Sequence, residues 1–431
     1  MKTIYEPNFW YDSLLWLATR YFRNSYRTYR VDGLEKIPKD GAVIFAPNHC
    51  DALMDPFAVL TMNSGKKIFA ARADIFRKPG LEKVLTFLRI LPIHRVRDGF
   101  RNVANSEKTI EKAIEILNNR VPFCILPEGA HRPMHSLLPL GKGISRIAYR
   151  ADKERSGDEH VYIVPVGCEY GDYFRFRSTL LLTVGQPFDV SEHIAAHPEK
   201  NEPEMYSEIR DITAEKMKEN IVFIPDDDDY AATWELSKLM TGTIPERKVR
   251  ERMRANRDAV RRIGELRKKA PEKARALFDK AVAFAQQRRE AKVSIHATHT
   301  HQPLGAALWH TLKAIAGLPF ALVYALVSSP VWIVGERLAG KAKDPTFRNS
   351  FRFVAIVIIW TLLLLIGAIV LLCTVKWYWA LAALVLLLPA PMLLYDWVEQ
   401  GRRMASAWRY CCNRKLRQFK LELLNELNSV L

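Results

Sequence analysis

The stretch VDGLEKIPKDGAVIFAPNH, residues 31–49, decides the fold. Pro38, Lys39, Asp40 and Gly41 have the composition of a turn. Residues 42–47 form a short, unbroken apolar run, the pattern of a strand buried on both faces. Strand-like runs recur at 67–71, 89–94, 122–127, 161–166 and 180–184, with helical periodicity between several of them, notably over 51–63 and 106–119. Strands alternating with helices predict an α/β fold, a mainly parallel sheet flanked by helices. That domain is expected over 31–224, followed by a charged helical segment over 225–303 and C-terminal membrane helices within 304–400. A basic tail helix, expected to be cytoplasmic, closes the chain over 401–431.

Charge and hydropathy narrow the class of partner. The 431 residues carry 64 Lys and Arg against 47 Asp and Glu, a net charge of +17. Such an excess favours nucleic acid, acidic lipid headgroups or phosphorylated substrates. The long apolar runs after residue 304 turn the choice toward membrane, and no signature of an RNA- or DNA-binding module accompanies the basic residues. Six cysteines show no CxxC spacing, which argues against a disulfide framework and for a reducing, cytosol-facing setting. The first residues lack the small-residue cleavage pattern of a secretory signal, so none is expected. Residues 9–30 read as an amphipathic helix: Arg20, Arg23, Arg27 and Arg30 share one face, and Phe9, Trp10, Leu14, Leu17 and Tyr21 lie largely elsewhere. Within the region 1–30 that pattern suits an interfacial helix on an anionic bilayer, and equally a surface helix docked on the domain.

After residue 224 the pattern changes. Pro225 and the four aspartates 226–229 precede a strongly charged stretch that reads as two helices broken near Pro271, a solvated hairpin or a basic arm. His296, His299 and His301 fall in a loop with no second ligand cluster, so no metal site is expected. Three apolar segments follow. Residues 318–334 contain Pro319 and Pro330, residues 353–375 are free of charge, and residues 377–395 contain Pro389 and Pro391. The second meets the length needed to cross a bilayer comfortably and the third approximately. Basic residues flank the outer ends of both, with only Lys376 between them, predicting a hairpin with both flanks cytoplasmic. The first segment is then expected to be re-entrant or interfacial, with a simple three-span arrangement as the competing topology.

The sharpest chemical signal is NHCDALMDP, residues 48–56, directly after the first strand of the pattern. A His at a strand end and an Asp early in the next helix suit proton abstraction from an alcohol: imidazole takes the proton and carboxylate fixes its tautomer. No GxSxG nucleophile motif occurs, so direct attack by an acceptor hydroxyl is simpler than a covalent intermediate. Cys50 is an alternative nucleophile, though neighbours on an extended segment point apart. Three further stretches follow later strand-like runs: LPIHRVRDG with Arg95 and Arg97, LPEGAHRP with Glu128, Gly129 and Arg132, and IVPVGCEYGDYFRFRS with Pro165, Arg175 and Arg177. Strand ends of an open α/β sheet converge on one crevice, and guanidiniums there suit a phosphorylated alcohol. Taken singly, Glu128-Gly129 is also an ordinary strand-end turn, Arg175 and Arg177 a solvated edge, and His94, His131 and His135 satisfied partners.

In order and spacing, the four stretches resemble the glycerolipid acyltransferase superfamily, which includes glycerol-3-phosphate and lysophosphatidic acid acyltransferases. They span roughly residues 25–190. The resemblance implies His49 as general base and Asp55 as its orienting carboxylate. It implies an acceptor site with Arg95 on the phosphate and Glu128 and Gly129 beside it, helped by Arg132 and Lys142, and an acyl side shaped by Pro165. It implies transfer of a fatty acyl chain from acyl-CoA or acyl-carrier protein to glycerol 3-phosphate or a lysophospholipid, with no metal and no cofactor beyond that co-substrate. A lysophosphatidic acid-specific 2-acyltransferase is the alternative, and a non-catalytic, membrane-anchored lipid-binding scaffold the alternative of another class. The implied partners are the lipid bilayer, the thioester donor and the phosphorylated acceptor, with no nucleic acid. The implied setting is an integral membrane protein whose catalytic domain, 31–224, faces the cytoplasm, at a bacterial inner membrane or the endoplasmic reticulum. Two departures stand out. Five residues rather than four separate His49 from Asp55, which keeps Asp51 in view as the carboxylate or as a helix cap. The family's Glu-Gly-Thr-Arg becomes Glu128-Gly129-Ala130-His131-Arg132, with the following lysine displaced to Lys142.

Overall fold

The computed structural model describes residues 6, 8–77, 80–93, 103–155 and 159–430. They divide into two compact units. The first comprises 1–23, 29–173 and 180–221, and the second 24–28, 174–179 and 222–431.

The eight-stranded sheet runs β1 (Thr28–Asp32), β2 (Ala42–Pro47), β3 (Ile68–Arg72), β4 (Ile90–Ile93), β5 (Phe123–Cys124), β6 (Val161–Tyr170), β7 (Thr179–Val184) and β8 (Phe188–Asp189) in chain order. Its spatial order is β1-β7-β6-β2-β5-β3-β4, with β8 also on β6. β2 pairs in parallel with β5 and β6, and β3 with β4 and β5, while β7 and β8 lie antiparallel to β6. The sheet is therefore mainly parallel, as expected. All six residues of β2 are buried, the physical reason for its unbroken apolar run.

Helices in this unit are α1 (Phe9–Asn24, whose last residue falls in the second unit), α2 (Met54–Thr61), α3 (Leu81–Phe87), α4 (Val103–Asn118), α5 (Gly143–Lys153), α6 (Val190–Ala196) and α7 (Glu202–Lys218). On α5, Ile144, Ile147, Ala148 and Ala151 recur at helical spacing and are buried with Ile110, Ala113 and Leu117 of α4 against Ala42, Ile44 and Ala46 of β2. Each fully buried Ile or Leu there contributes about 1.5–3 kcal/mol. α1 is shorter than the sequence predicts. It stops at Asn24 and Thr28 opens a strand, so Arg27 and Arg30 leave the helical face shared by Arg20 and Arg23.

The second unit is helical. α8 (Tyr230–Thr241), α9 (Val249–Lys269) and α10 (Pro271–Glu290) precede α11 (Pro303–Lys341), α12 (Phe347–Ala355), α13 (Thr361–Thr374), α14 (Trp377–Leu387), α15 (Ala390–Cys412) and α16 (Arg414–Val430). The break between α9 and α10 falls where Pro271 opens the second helix. The pair is more than a solvated hairpin: Ile263, Leu277 and Phe284 share a core with Leu236 of α8 and Leu423 of α16. The basic tail thus folds back as part of that core.

Three stretches are long and apolar enough to cross a membrane: 303–341, 347–374 and 377–412. Pro319 and Pro330 do not interrupt the first apolar segment: both lie inside the continuous 39-residue α11. Pro330 has no N–H for the Leu326 carbonyl, and the Ser329 hydroxyl donates to that oxygen instead at 3.4 Å. Residues 353–375 fall within α12, α13 and the five-residue π-turn that joins them, while 377–395 fall in α14 and the start of α15.

Candidate active site

Where β2 ends, Asn48 ties the chain to the neighbouring strand. Its backbone N–H donates to Val166 O at 3.3 Å, its amide nitrogen to Cys168 O at 3.2 Å, and its amide oxygen accepts from Cys168 N at 2.6 Å. This fixes where His49 leaves the sheet. The next turn carries the chain into α2, whose cap is Leu53 rather than Asp51. Asp51 instead offers its backbone oxygen to the N–H groups of Met54 and Asp55.

Asp55, in the first turn of α2, is completely buried. Its Oδ2 lies 2.8 Å from His49 Nδ1 and accepts from the backbone N–H of Cys50 at 2.6 Å and of Asp51 at 2.8 Å. Its Oδ1 accepts from the Tyr170 hydroxyl at 2.6 Å. Four donors converging on two oxygens suit the ionised carboxylate, which accepts and does not donate. His49 must then supply the Nδ1–H, which leaves Nε2 with its lone pair. That nitrogen makes no hydrogen bond among the described residues, and the side chain is 15% exposed. With Nδ1 committed to Asp55, Nε2 is the ring nitrogen that can take up a proton, and it is open, the arrangement a general base requires.

Glu128 grips the same turn from the other side. Oε1 accepts from His49 N at 2.6 Å and Oε2 from Leu138 N at 2.7 Å. Burial pushes this carboxyl up to about 7, although both N–H groups work in the opposite direction. Gly129 follows with φ +66, a left-handed conformation suited to glycine. The Arg132 backbone N–H donates to His49 O at 3.0 Å, and the His131 ring stands edge-on to that of His49 with centroids 5.1 Å apart. The segment 128–132 therefore wraps the His49 turn.

The remaining expected site residues spread out. Lys142 is exposed just before α5, and Gly141 N donates to Pro127 O at 2.8 Å, keeping that loop against the strand end. Pro165 lies buried in β6 opposite Ala46. Arg95, with Arg97 and His94, lies outside the described residues. Arg175 and Arg177 belong to the second unit, where carboxylates claim them. Arg175 pairs with Glu246 and Glu399, each at 3.2 Å, and Arg177 with Asp396 at 2.7 Å. They are not free guanidiniums of the crevice. Cys50 is buried, and burial followed by the nearby Asp55 and Glu128 charges raises its thiol well above the usual range, which opposes a thiolate role.

Tyr170 and Asn48 are the contributors that sequence reasoning missed. Asn48 stood inside the quoted motif but carried no chemical reading. Tyr170 ends β6, 115 residues along the chain, where only the sheet order brings it to Asp55.

Residues 28–169 match the family model described as Acyltransferase. No curated protein matches the chain. Among solved structures, it is similar to the 1-acyl-sn-glycerophosphate (LPA) acyltransferase PlsC from Thermotoga maritima, at 22% identity over 48% of this chain and 78% of that one, with a TM-score of 0.34. At that score the likeness places no residue. The family match spans His49, Asp55, Glu128, Arg132, Lys142 and Pro165, so the residues of the His49 turn fall inside the stretch that is similar to acyltransferases.

Proposed function

We propose that the protein is a membrane-bound O-acyltransferase that moves a fatty acyl chain from acyl-CoA or acyl-carrier protein to a hydroxyl of glycerol 3-phosphate or a lysophospholipid. The observation that carries this is the His49–Asp55 pair, with Nδ1 held at 2.8 Å and Nε2 open. Nε2 takes the proton of the acceptor hydroxyl as its oxygen attacks the thioester carbonyl carbon. The tetrahedral intermediate collapses with cleavage of the C–S bond. The proton on His49 passes to the departing thiolate, and the new ester and free thiol complete the balance.

Through this cycle Asp55 stabilises the imidazolium, while Glu128 and the N–H groups of Cys50 and Asp51 hold the turn. Arg95, Arg132 and Lys142 are assigned to the acceptor phosphate with Gly129 beside it, and Pro165 to the acyl side. The three apolar helices support anchoring in the bilayer from which a lipid acceptor or product would exchange, and the basic flanks of 353–395 are the ground for assigning the catalytic unit to the cytoplasmic side.

The test is acyl transfer by the purified full-length protein. Radiolabelled acyl-CoA and acyl-carrier protein are each offered with glycerol 3-phosphate, lysophosphatidic acid, dihydroxyacetone phosphate and other lysophospholipids. A labelled ester on at least one acceptor is expected. Absence of any acylated product across the panel, with the protein folded, would leave the scaffold reading in its place.

A further inference from the structure

Within the second unit, Lys292, Arg402 and Arg409 line a groove of about 540 Å³ along α15. Trp397, Gly401, Ala405 and Arg409 follow one another at intervals of four and so share one helical face. That face runs from an indole through two small residues to a guanidinium. A Cβ added at Gly401 would meet no atom within 4 Å, so the groove floor is open there. The Trp397 ring is fixed by its Nε1–H, which donates to Ala314 O at 3.0 Å.

The three cations are brought together by the chain itself. Arg409 Nη1 donates to Lys292 O at 3.2 Å, and Ser294 N donates to Ser406 Oγ at 2.8 Å, clipping the loop after α10 onto α15. Lys292 holds φ +51, in the left-handed region that favours glycine. Among the described residues none of the three makes an ion pair with a carboxylate. The acids of α15 are engaged elsewhere, Asp396 with Arg27 and Arg177, and Glu399 with Arg175 and Arg403. An exposed basic cluster on the polar half of a helix that begins in an apolar stretch, with an indole between the two, is complementary to one ligand class.

We infer that this groove binds an anionic phospholipid, distinct from the acyl acceptor at His49. The phosphate sits between Lys292, Arg402 and Arg409, and the acyl chains run past Gly401 and Trp397 toward the apolar part of the span. The inference rests on reading 377–412 as a membrane span.

The test reconstitutes full-length protein into vesicles of phosphatidylcholine alone and of phosphatidylcholine mixed with phosphatidylglycerol. Lipid retained after mild extraction is then counted by native mass spectrometry. Wild type should keep phosphatidylglycerol over phosphatidylcholine, and Lys292→Gln/Arg402→Gln should weaken that preference about tenfold or more. Gly401→Leu, which fills the groove without touching a charge, should do the same, and it guards against misfolding of the charge variant. Inorganic phosphate should not displace the lipid. Unchanged preference in both variants, or displacement by inorganic phosphate, would overturn the lipid site. Failure of wild type to enter either vesicle would overturn the span reading and the lipid site together.

Discussion

Several histidines stand beside carboxylates in this protein, and one such pair from each unit shows how differently they behave. In the first unit His49 meets Asp55 at 2.8 Å; in the second His296 meets Glu246 at 3.2 Å. Asp55 is held by neutral donors, two backbone N–H groups and a tyrosine hydroxyl, so its charge is left to the imidazole. Glu246 is shared with two guanidiniums, Arg175 and Arg403. Burial would raise its carboxyl pKa, and His296 with those two guanidiniums outweighs burial and holds it below the usual range. Burial pushes His296 well below the usual histidine range; Glu246 pulls the other way, and the neighbouring guanidiniums add to the lowering. A His–carboxylate pair is therefore no site by itself. What sets His49 apart is that its buried carboxylate accepts only from neutral donors while its distal ring nitrogen stays open within the stretch that matches the acyltransferase model.

That contrast can be broken at each end. The largest effect is expected from Asp55→Asn, which changes the set of groups His49 can bond. It should lower kcat for acyl transfer by about a hundredfold to ten-thousandfold, measured on the most active donor and acceptor. A variant with near wild-type turnover would equate the two pairs. The converse change, Glu246→Gln, leaves Arg175 and Arg403 with Glu399 as their one remaining carboxylate among the described residues. It should cost about 3 kcal/mol in denaturant unfolding while leaving turnover per folded molecule unchanged.

Glu128 sharpens the comparison through pH. Its carboxyl lies at about 7 in the folded protein against 4.5 when free, so the folded state binds this proton more tightly. The stability it contributes is full below 4.5 and lost as pH rises through about 7, on the order of 3 kcal/mol. Glu128→Gln should remove that part of the pH dependence, read as the wild-type-minus-variant difference in melting temperature across the range. The smallest effect is expected from Tyr170→Phe, which removes one of four donors to Asp55. A loss of about 1.5 kcal/mol, or about tenfold in kcat, would fit one charge-assisted hydrogen bond. No change in turnover would mean the backbone donors suffice.

Much of this was legible in the residues. The unbroken run AVIFAP reads as a strand buried on both faces and is the central β2, and the alternation after it announces the parallel sheet. NHCDALMDP and LPEGAHRP name the three side chains that meet at the His49 turn, because short motifs at strand ends are brought together by any such sheet. Other features depend on partners far along the chain. Nothing local in RFR, residues 175–177, reveals that Glu246, Asp396 and Glu399 will neutralise it. Tyr170 meets Asp55 only through the order β6-β2. Pro319 and Pro330 argue locally for a broken helix, yet α11 continues through both, and a serine hydroxyl reaches the carbonyl that Pro330 leaves unpaired.

The most direct test compares the first turnover of acyl transfer in wild type and His49→Ala, under the same donor and acceptor and with matched circular dichroism. With the open Nε2 as the base, the variant should be slower by about a hundredfold or more while staying folded. Equal rates would contradict the role assigned to this histidine.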